Sequence, residues 1–261
     1  MKRVLTSELI KLRRPGVLLG AGAVLPLLSV VATFAVVLTA TDTAPTGDPG
    51  TTLGALSQAG GLTAGFAATA AFLGLLVFAL FASAFGSEYT NGTLRSMLTR
   101  EPRRLRLLGG KWLALALFTA STLLLALVAS ALTALAVAPS QGLQTSEWFS
   151  GAGLTAAAVD YRNAVLSALL YGTLGAVVAT LARSGIIAVG AGVAWLGPAE
   201  HLLADAVSGG NRWFPGLLFE ATAQGGTAAS SLTRSLLIGG LLAAVAAAVA
   251  SVTFLRRDVS T

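Results

Sequence analysis

Six long apolar runs, separated by short polar segments, organise this chain. They cover residues 16–40, 62–86, 107–138, 164–182, 185–204 and 230–255. Each is close to or above the ~20 mostly apolar residues that one bilayer crossing takes. The pattern predicts an all-α polytopic membrane protein with six transmembrane helices. The third run exceeds what a crossing needs and is expected to begin as a helix in the interface. Ahead of the first run the period shortens. Leu5, Leu9 and Leu12 share one helical face, and Arg3, Ser7, Lys11 and Arg14 share the opposite one, with Ile10 out of place on the polar side. Residues 1–15 are therefore predicted to form an amphipathic elbow helix lying on the membrane. Pro15 and Gly16 break it and turn the chain into the bilayer. The apolar run that follows is longer than the 7–15 residues of a signal-peptide core, so it reads as a retained first span.

The connections differ in kind. Residues 41–61 are rich in Thr, Gly and Pro and read as a loop. Residues 205–229 hold Trp213, Phe214, Pro215 and several glycines. Two readings stand for them: short broken or re-entrant helices between the fifth and sixth spans, or a surface loop with aromatic anchors. Residues 87–106 are the most polar and most basic connection. Within them Leu94, Met97 and Leu98 fall at i, i+3 and i+4 on one face of a short helix, with Arg95 and Thr99 elsewhere. This reads as a solvent-exposed docking helix.

Charge gives the orientation. Lys2, Arg3, Lys11, Arg13 and Arg14 precede the first span, and Arg95, Arg100, Arg103, Arg104, Arg106 and Lys111 join the second to the third. Arg183 lies in the fourth-to-fifth turn, and Arg256 and Arg257 follow the sixth span. Arg162, Arg212 and Arg234 fall on the other side, with Asp42, Asp48, Glu147, Asp160, Asp205 and Glu220. The positive-inside rule then places both termini in the cytoplasm. Charged residues make up only 11% of the chain, against about 25% in soluble domains, so lipid is the main environment. The net charge of +6 lies beside the spans, which argues for membrane topology and against nucleic acid as a partner. The 30 glycines suit close helix–helix contact in lipid, and the absence of Cys removes disulfide and thiolate chemistry.

Catalytic patterns are missing. Residues 61–87 and 112–139 contain no Asp, Glu, Lys, Arg or His, which disfavours an ion-coupled carrier. Glu200, His201 and Asp205 cluster at the end of the fifth span, with His201 and Asp205 at i and i+4. A metal site and interface anchoring are both open for them, although His201 is the single His and paired-His zinc sites are excluded. Gly110-Lys111 is followed by Trp112, so no P-loop is present. No enzyme activity, cofactor or metal is expected, and uphill transport would draw its energy from another polypeptide.

The segment from Glu88 to Lys111 resembles the first cytoplasmic loop of ABC-2 type permeases, the membrane subunits of ABC exporters whose ATPase is a separate chain. The matching residues are Glu88, Gly92-Thr93-Leu94, Leu98, Pro102, Arg104 and Lys111. Gly92 suits a tight reversal, Thr93 a helix cap and Pro102 the first turn of the next helix. The elbow, the six spans with both ends inside, and the ending Phe254, Arg256, Arg257 and Asp258 fit the same family. The resemblance implies one transmembrane domain over residues 1–261, with residues 87–106 as the cytoplasmic coupling loop. Glu88, Gly92, Thr93, Leu94, Arg95, Met97, Leu98, Pro102 and Arg104 would contact the ATPase, with Arg183 and Ser184 as a second contact. It also implies a second permease copy, identical or paralogous, in a bacterial cell membrane. The cargo would be an amphipathic drug, a peptide antibiotic or a lipid. An ion-gradient-driven carrier or channel is the alternative reading, and a membrane enzyme or scaffold a third.

Overall fold

The computed structural model describes residues 2–13, 15–42, 51–90, 92, 103–207 and 209–256. Its longer helices, in chain order, are α1 (Lys2–Leu12), α2 (Pro15–Leu38), α3 (Ala59–Thr90), α4 (Arg104–Gln141), α5 (Gly151–Ala182), α6 (Gly185–Ala204), α7 (Pro215–Ala223) and α8 (Leu232–Arg256). Six of them, α2 to α6 and α8, are long and apolar enough to cross a membrane. Two isolated bridges, Thr41 to Thr52 and Gly226 to Ser231, are the β-type pairings outside helices among the described residues.

The centre is the α3–α5 pair, which is in contact over most of its length. Leu73, Val77, Phe78, Phe81 and Ala82 of α3 are fully buried. Their rings fit against glycines: Gly172 takes the Phe81 ring, and Gly192 of α6 takes the Phe78 ring. In the other direction, Gly74 of α3 takes the Tyr171 ring of α5. In lipid, water does not drive helices together, so close approach at small residues and the dispersion contacts it allows do that work. At Gly175 the α3–α5 contact is with backbone, because a Cβ there would press into the Phe78 main chain, 3.1 Å from its carbonyl carbon. Backbone cannot swing aside as a side chain can. Gly175→Leu should therefore part the two helices and destabilise the protein by about 1–3 kcal/mol or more. A thermal unfolding midpoint in detergent checks this, with Gly109→Leu as the control, since open space lies around Gly109.

Polar contacts fix the register of the remaining helices. Thr33 on α2 and Ser130 on α4 share a hydrogen bond of 2.7 Å. The Trp112 indole N–H donates to Thr173 Oγ1 at 3.0 Å, and the Tyr161 hydroxyl to the Ala120 carbonyl at 2.9 Å, tying α4 to α5. Trp148 is fully buried between α4 and α5 and donates to the Leu56 carbonyl at 2.8 Å, which closes the end of the bundle opposite the termini.

The fourth span begins earlier than its hydropathy predicts. α5 starts at Gly151, where Ser150 Oγ accepts the Gly153 N–H at 3.1 Å as an N-cap. Asp160, Arg162 and Asn163 depress the local hydropathy, but each is provided for. Asp160 accepts from the Thr63 hydroxyl at 2.6 Å, and Arg162 Nη2 donates to Asn163 Oδ1 at 3.0 Å. Asp160 and Arg162 thus stand on a helix and not in a loop.

For the 205–229 segment, helical pieces replace the loop reading. A turn of 3-10 helix at Gly210–Arg212 leads into α7, whose Gly216, Leu218, Phe219, Ala221, Thr222 and Ala223 are buried. The Tyr171 hydroxyl donates to the Gly216 carbonyl at 3.0 Å, and the Ser167 hydroxyl to the Phe219 carbonyl at 2.7 Å. α7 therefore starts beside Tyr171, ~16 Å along α5 from that helix's end at Ala182. From that depth it runs back towards the level of Asn163.

Candidate functional site

The end of the bundle that carries both chain termini is built from charge. α1 lies across the first turns of α4, where Val4 packs against Gly110 and joins Leu107 and Phe254 in a small apolar cluster. The side that α1 buries is Val4, Glu8 and Leu12, with Leu5 and Leu9 partly covered. Ile10 is exposed, as its misplacement in the sequence pattern implies. Glu8, on the buried side, is only 5% exposed.

Glu8 belongs to a group of four charges. Lys11, one turn on, pairs with it, and the Lys11 ammonium also lies 3.7 Å from Glu88 at the end of α3. Glu88 in turn pairs with Lys111 on α4. Glu88 is 9% exposed and Lys111 4%, so neither charge could stay there alone. The Lys111 ammonium also sits 5.2 Å from the centre of the Phe85 ring. Two carboxylates and two ammoniums make the group self-neutral. It knits together α1, α3 and α4, the two helices that flank residues 91–102 and the one that precedes them all.

The family motif thus closes on itself: its acid, Glu88, and its lysine, Lys111, are bonded partners 23 residues apart. Gly92 has φ +64°, the left-handed conformation that glycine adopts without strain, and its N–H bonds the Tyr89 carbonyl at 3.3 Å. Arg104 stands at the start of α4 and donates from Nη1 to the Phe254 carbonyl at 2.9 Å, with its guanidinium 5.8 Å from the Phe254 ring centre. A cation on the last carbonyls of α8 is favoured by the helix dipole as well as by the hydrogen bond. Thr93, Leu94, Arg95, Met97, Leu98 and Pro102 lie outside the described residues.

Arg183 and Ser184 form the tight turn between α5 and α6. Arg183 adopts φ +53°, and Ser184 caps α6 by accepting the Ile187 N–H at 3.4 Å. This turn touches α3 directly, because a Cβ on Gly86 would strike Gly185 and come 2.9 Å from the Ser184 carbonyl carbon. Glu88, Gly92 and Arg104 therefore share one end of the molecule with Arg183 and Ser184. The sequence pattern missed Glu8 and Lys11. The signal was available, since Glu8 falls three residues after Leu5 and four before Leu12, on the apolar face of its helix.

The Glu200–His201 cluster at the other end differs from the interface-anchor reading. Glu200 does not snorkel: it is 0% exposed, and its Oε2 accepts the Leu217 N–H at 3.2 Å in the first turn of α7. A Cβ on Gly216 would come 2.7 Å from that same oxygen, so the glycine makes room for the carboxylate. His201 pairs with Glu220, its Nε2 3.0 Å from Oε2, and its Nδ1 lies 2.7 Å from the Gly197 carbonyl. The cluster latches α7 to α6. Among the described residues no three His, Cys, Asp or Glu side chains are grouped as a metal site would need.

A helical bundle of this kind, with its Lys–Glu pairs gathered at one end and six apolar helices, is a multi-pass membrane protein. Residues 4–193 match the family model described as ABC-2 family transporter protein, and the chain belongs to that family. No curated protein and no solved structure matches it.

Proposed function

We propose that this chain is the permease subunit of an ATP-driven ABC exporter in a bacterial cell membrane, with both termini in the cytoplasm. It would work as a dimer and take its energy from a separate ATPase subunit that docks on residues 87–106 and on Arg183 and Ser184. The observation that carries this reading is the family match over residues 4–193, which spans the whole of that loop and the Arg183 turn. The arrangement of the basic end supports it. The self-neutral charge group binds both arms of the loop to α1, so a push on the loop would reach α1, α3 and α4 together.

The face made by α2, α3 and α6 suits a pathway. A cavity of about 340 Å³ lies between α2 and α3, lined by Gly16, Gly20, Leu76, Leu80 and Ser83. Another of about 590 Å³ lies between α3 and α6, lined by Ser83, Ser87, Thr90, Gly185 and Gly190. Ser83 borders both, so they form one concave, mainly apolar surface with a few hydroxyls. Ile186, beside it, is 85% exposed. Such a surface fits a second permease copy across a two-fold axis and an amphipathic cargo between them. An ion-gradient-driven carrier is less favoured, because the four charges of the basic end, of which Glu8, Glu88 and Lys111 are buried, are matched with one another.

The test is reconstitution with the ATPase subunit in vesicles. ATP-dependent movement of an amphipathic reporter is expected, and movement driven by an ion gradient without the ATPase would overturn the reading. Orientation is checked in the same preparation. The chain has no Cys, so single Cys at Ser96 and at Thr46 report sidedness. Only the Thr46 variant should react with an impermeant thiol reagent applied outside intact cells.

A further inference from the structure

A second cavity system lies on the side of the bundle away from the α2–α3–α6 face. It has a volume of about 280 Å³ and sits between α4 and α8, with α5 as its back wall. Leu108, Gly109 and Trp112 form one side, Ala247 and Ala250 the other, and Val177 the back. Its polar groups are largely spent within the protein. Thr173 accepts from Trp112 and donates to the Leu169 carbonyl at 2.7 Å, while Thr180 donates to the Ala176 carbonyl at 2.7 Å. A groove walled in this way offers dispersion contacts and little hydrogen bonding, which suits an aliphatic chain.

One end of the groove is marked by charge. Arg104, Leu108 and Trp112 follow each other at i, i+4 and i+8 along one face of α4, so the groove ends about two helical turns below Trp112 at the basic rim. Arg104 bridges there to the end of α8 through Phe254. Arg103, at the head of α4, and Arg256, at the end of α8, are exposed at the two helix ends that Arg104 bridges. Glu8 and Glu88, the buried carboxylates nearby, are already balanced by Lys11 and Lys111. The rim therefore presents positive charge at the level where phospholipid headgroups lie, directly below an apolar slot.

We infer that the α4–α8 groove holds one acyl chain of an anionic phospholipid whose phosphate rests between Arg103 and Arg256. This site is separate from the concave α2–α3–α6 face, and it stands whether or not that face carries cargo. An occupant here would fill the gap between α4 and α8, which meet at the Arg104 bridge and the Leu107–Phe254 contact, while α8 is held to the bundle independently by Gly239 packing on Phe219 of α7 and Leu170 of α5.

Trp112 in the groove wall provides the readout. The full-length protein is placed in phosphatidylcholine vesicles with a small fraction of phosphatidylglycerol brominated on its acyl chains, and tryptophan quenching is measured. Subtracting the quenching of Trp112→Phe isolates the Trp112 signal. Brominated phosphatidylglycerol should quench Trp112 at mole fractions where brominated phosphatidylcholine does not. The preference should fall about fivefold for each of Arg103→Gln and Arg256→Gln. Gly109→Leu fills the groove from a position with open space around it, and it should abolish the Trp112 quenching while the unfolding midpoint stays unchanged. Equal quenching by the two lipids, or quenching that survives Gly109→Leu, would overturn the proposal. So would displacement of the brominated lipid by a transported amphipath, since the groove would then belong to cargo.

Discussion

Glu88→Ala is expected to destabilise the protein by about 3–5 kcal/mol, because it leaves the Lys111 ammonium buried without its partner. Lys111 is 4% exposed, and Lys11, the other nearby cation, only adds to the repulsion. For a chain of this size the unfolding midpoint should drop by roughly 10 °C, or folded protein should be lost from the membrane. The double variant Glu88→Met with Lys111→Met removes both charges and keeps apolar volume, so it should recover most of the loss. Recovery of stability separates two roles for Glu88. If the double variant is stable yet no longer stimulated by substrate, Glu88 also acts in coupling. If it is stable and active, the acid is there to hold Lys111. On sequence grounds Glu88 is a polar contact for a partner protein, whose removal should uncouple with less loss of binding than a change to the apolar stripe. The structure makes it first the counter-ion of a buried lysine.

The second large effect is expected in the loop itself. Leu94→Asp with Leu98→Asp puts two carboxylates on the apolar stripe that the sequence predicts for residues 93–99. Each Leu buried in a partner contributes about 1.5–3 kcal/mol, so binding of the ATPase subunit should weaken by a factor of 100 or more. Membrane insertion should be unchanged, because no spanning helix is altered. Co-purification of the ATPase and its stimulated hydrolysis are the measurements. A stripe folded back on α1 gives the opposite signature, in which the unfolding midpoint drops and ATPase binding persists.

The helices were legible where hydropathy alone decides. The six apolar runs correspond to α2 to α6 and α8, since spans longer than 20 residues leave few alternatives. The start of α5 was hidden because Asp160 and Arg162 lower its hydropathy, and their partners Thr63 and Asn163 cannot be seen in a sliding average. The depth of α7 was likewise hidden. Its anchors, Tyr171, Ser167 and Glu200, lie 45, 52 and 17 residues from their partners. The motif residues of the basic end were visible as a pattern, but the pattern does not say that Glu88 and Lys111 face each other. That follows from packing α3 against α4, and Glu8 joins them only once α1 is laid across both.

α2 and α6 share one further feature. Each contains a wide turn of π-helix, at Leu18–Gly22 in α2 and at Trp195–Ala199 in α6, the latter around Pro198. A π turn inserts one residue into the helix and loosens the local hydrogen-bond ladder, so a helix bends there at small cost. The two turns lie near opposite ends of the bundle, since α2 is just leaving the basic end and α6 is approaching the far one. Both helices are also mostly unburied, in contrast with the α3–α5 pair. The molecule is thus a stiff shaft with two jointed limbs, one jointed low and one jointed high. Bending at the low joint would move the part of α2 that lines the concave face, and bending at the high joint would move the end of α6 that Glu200 and His201 latch to α7.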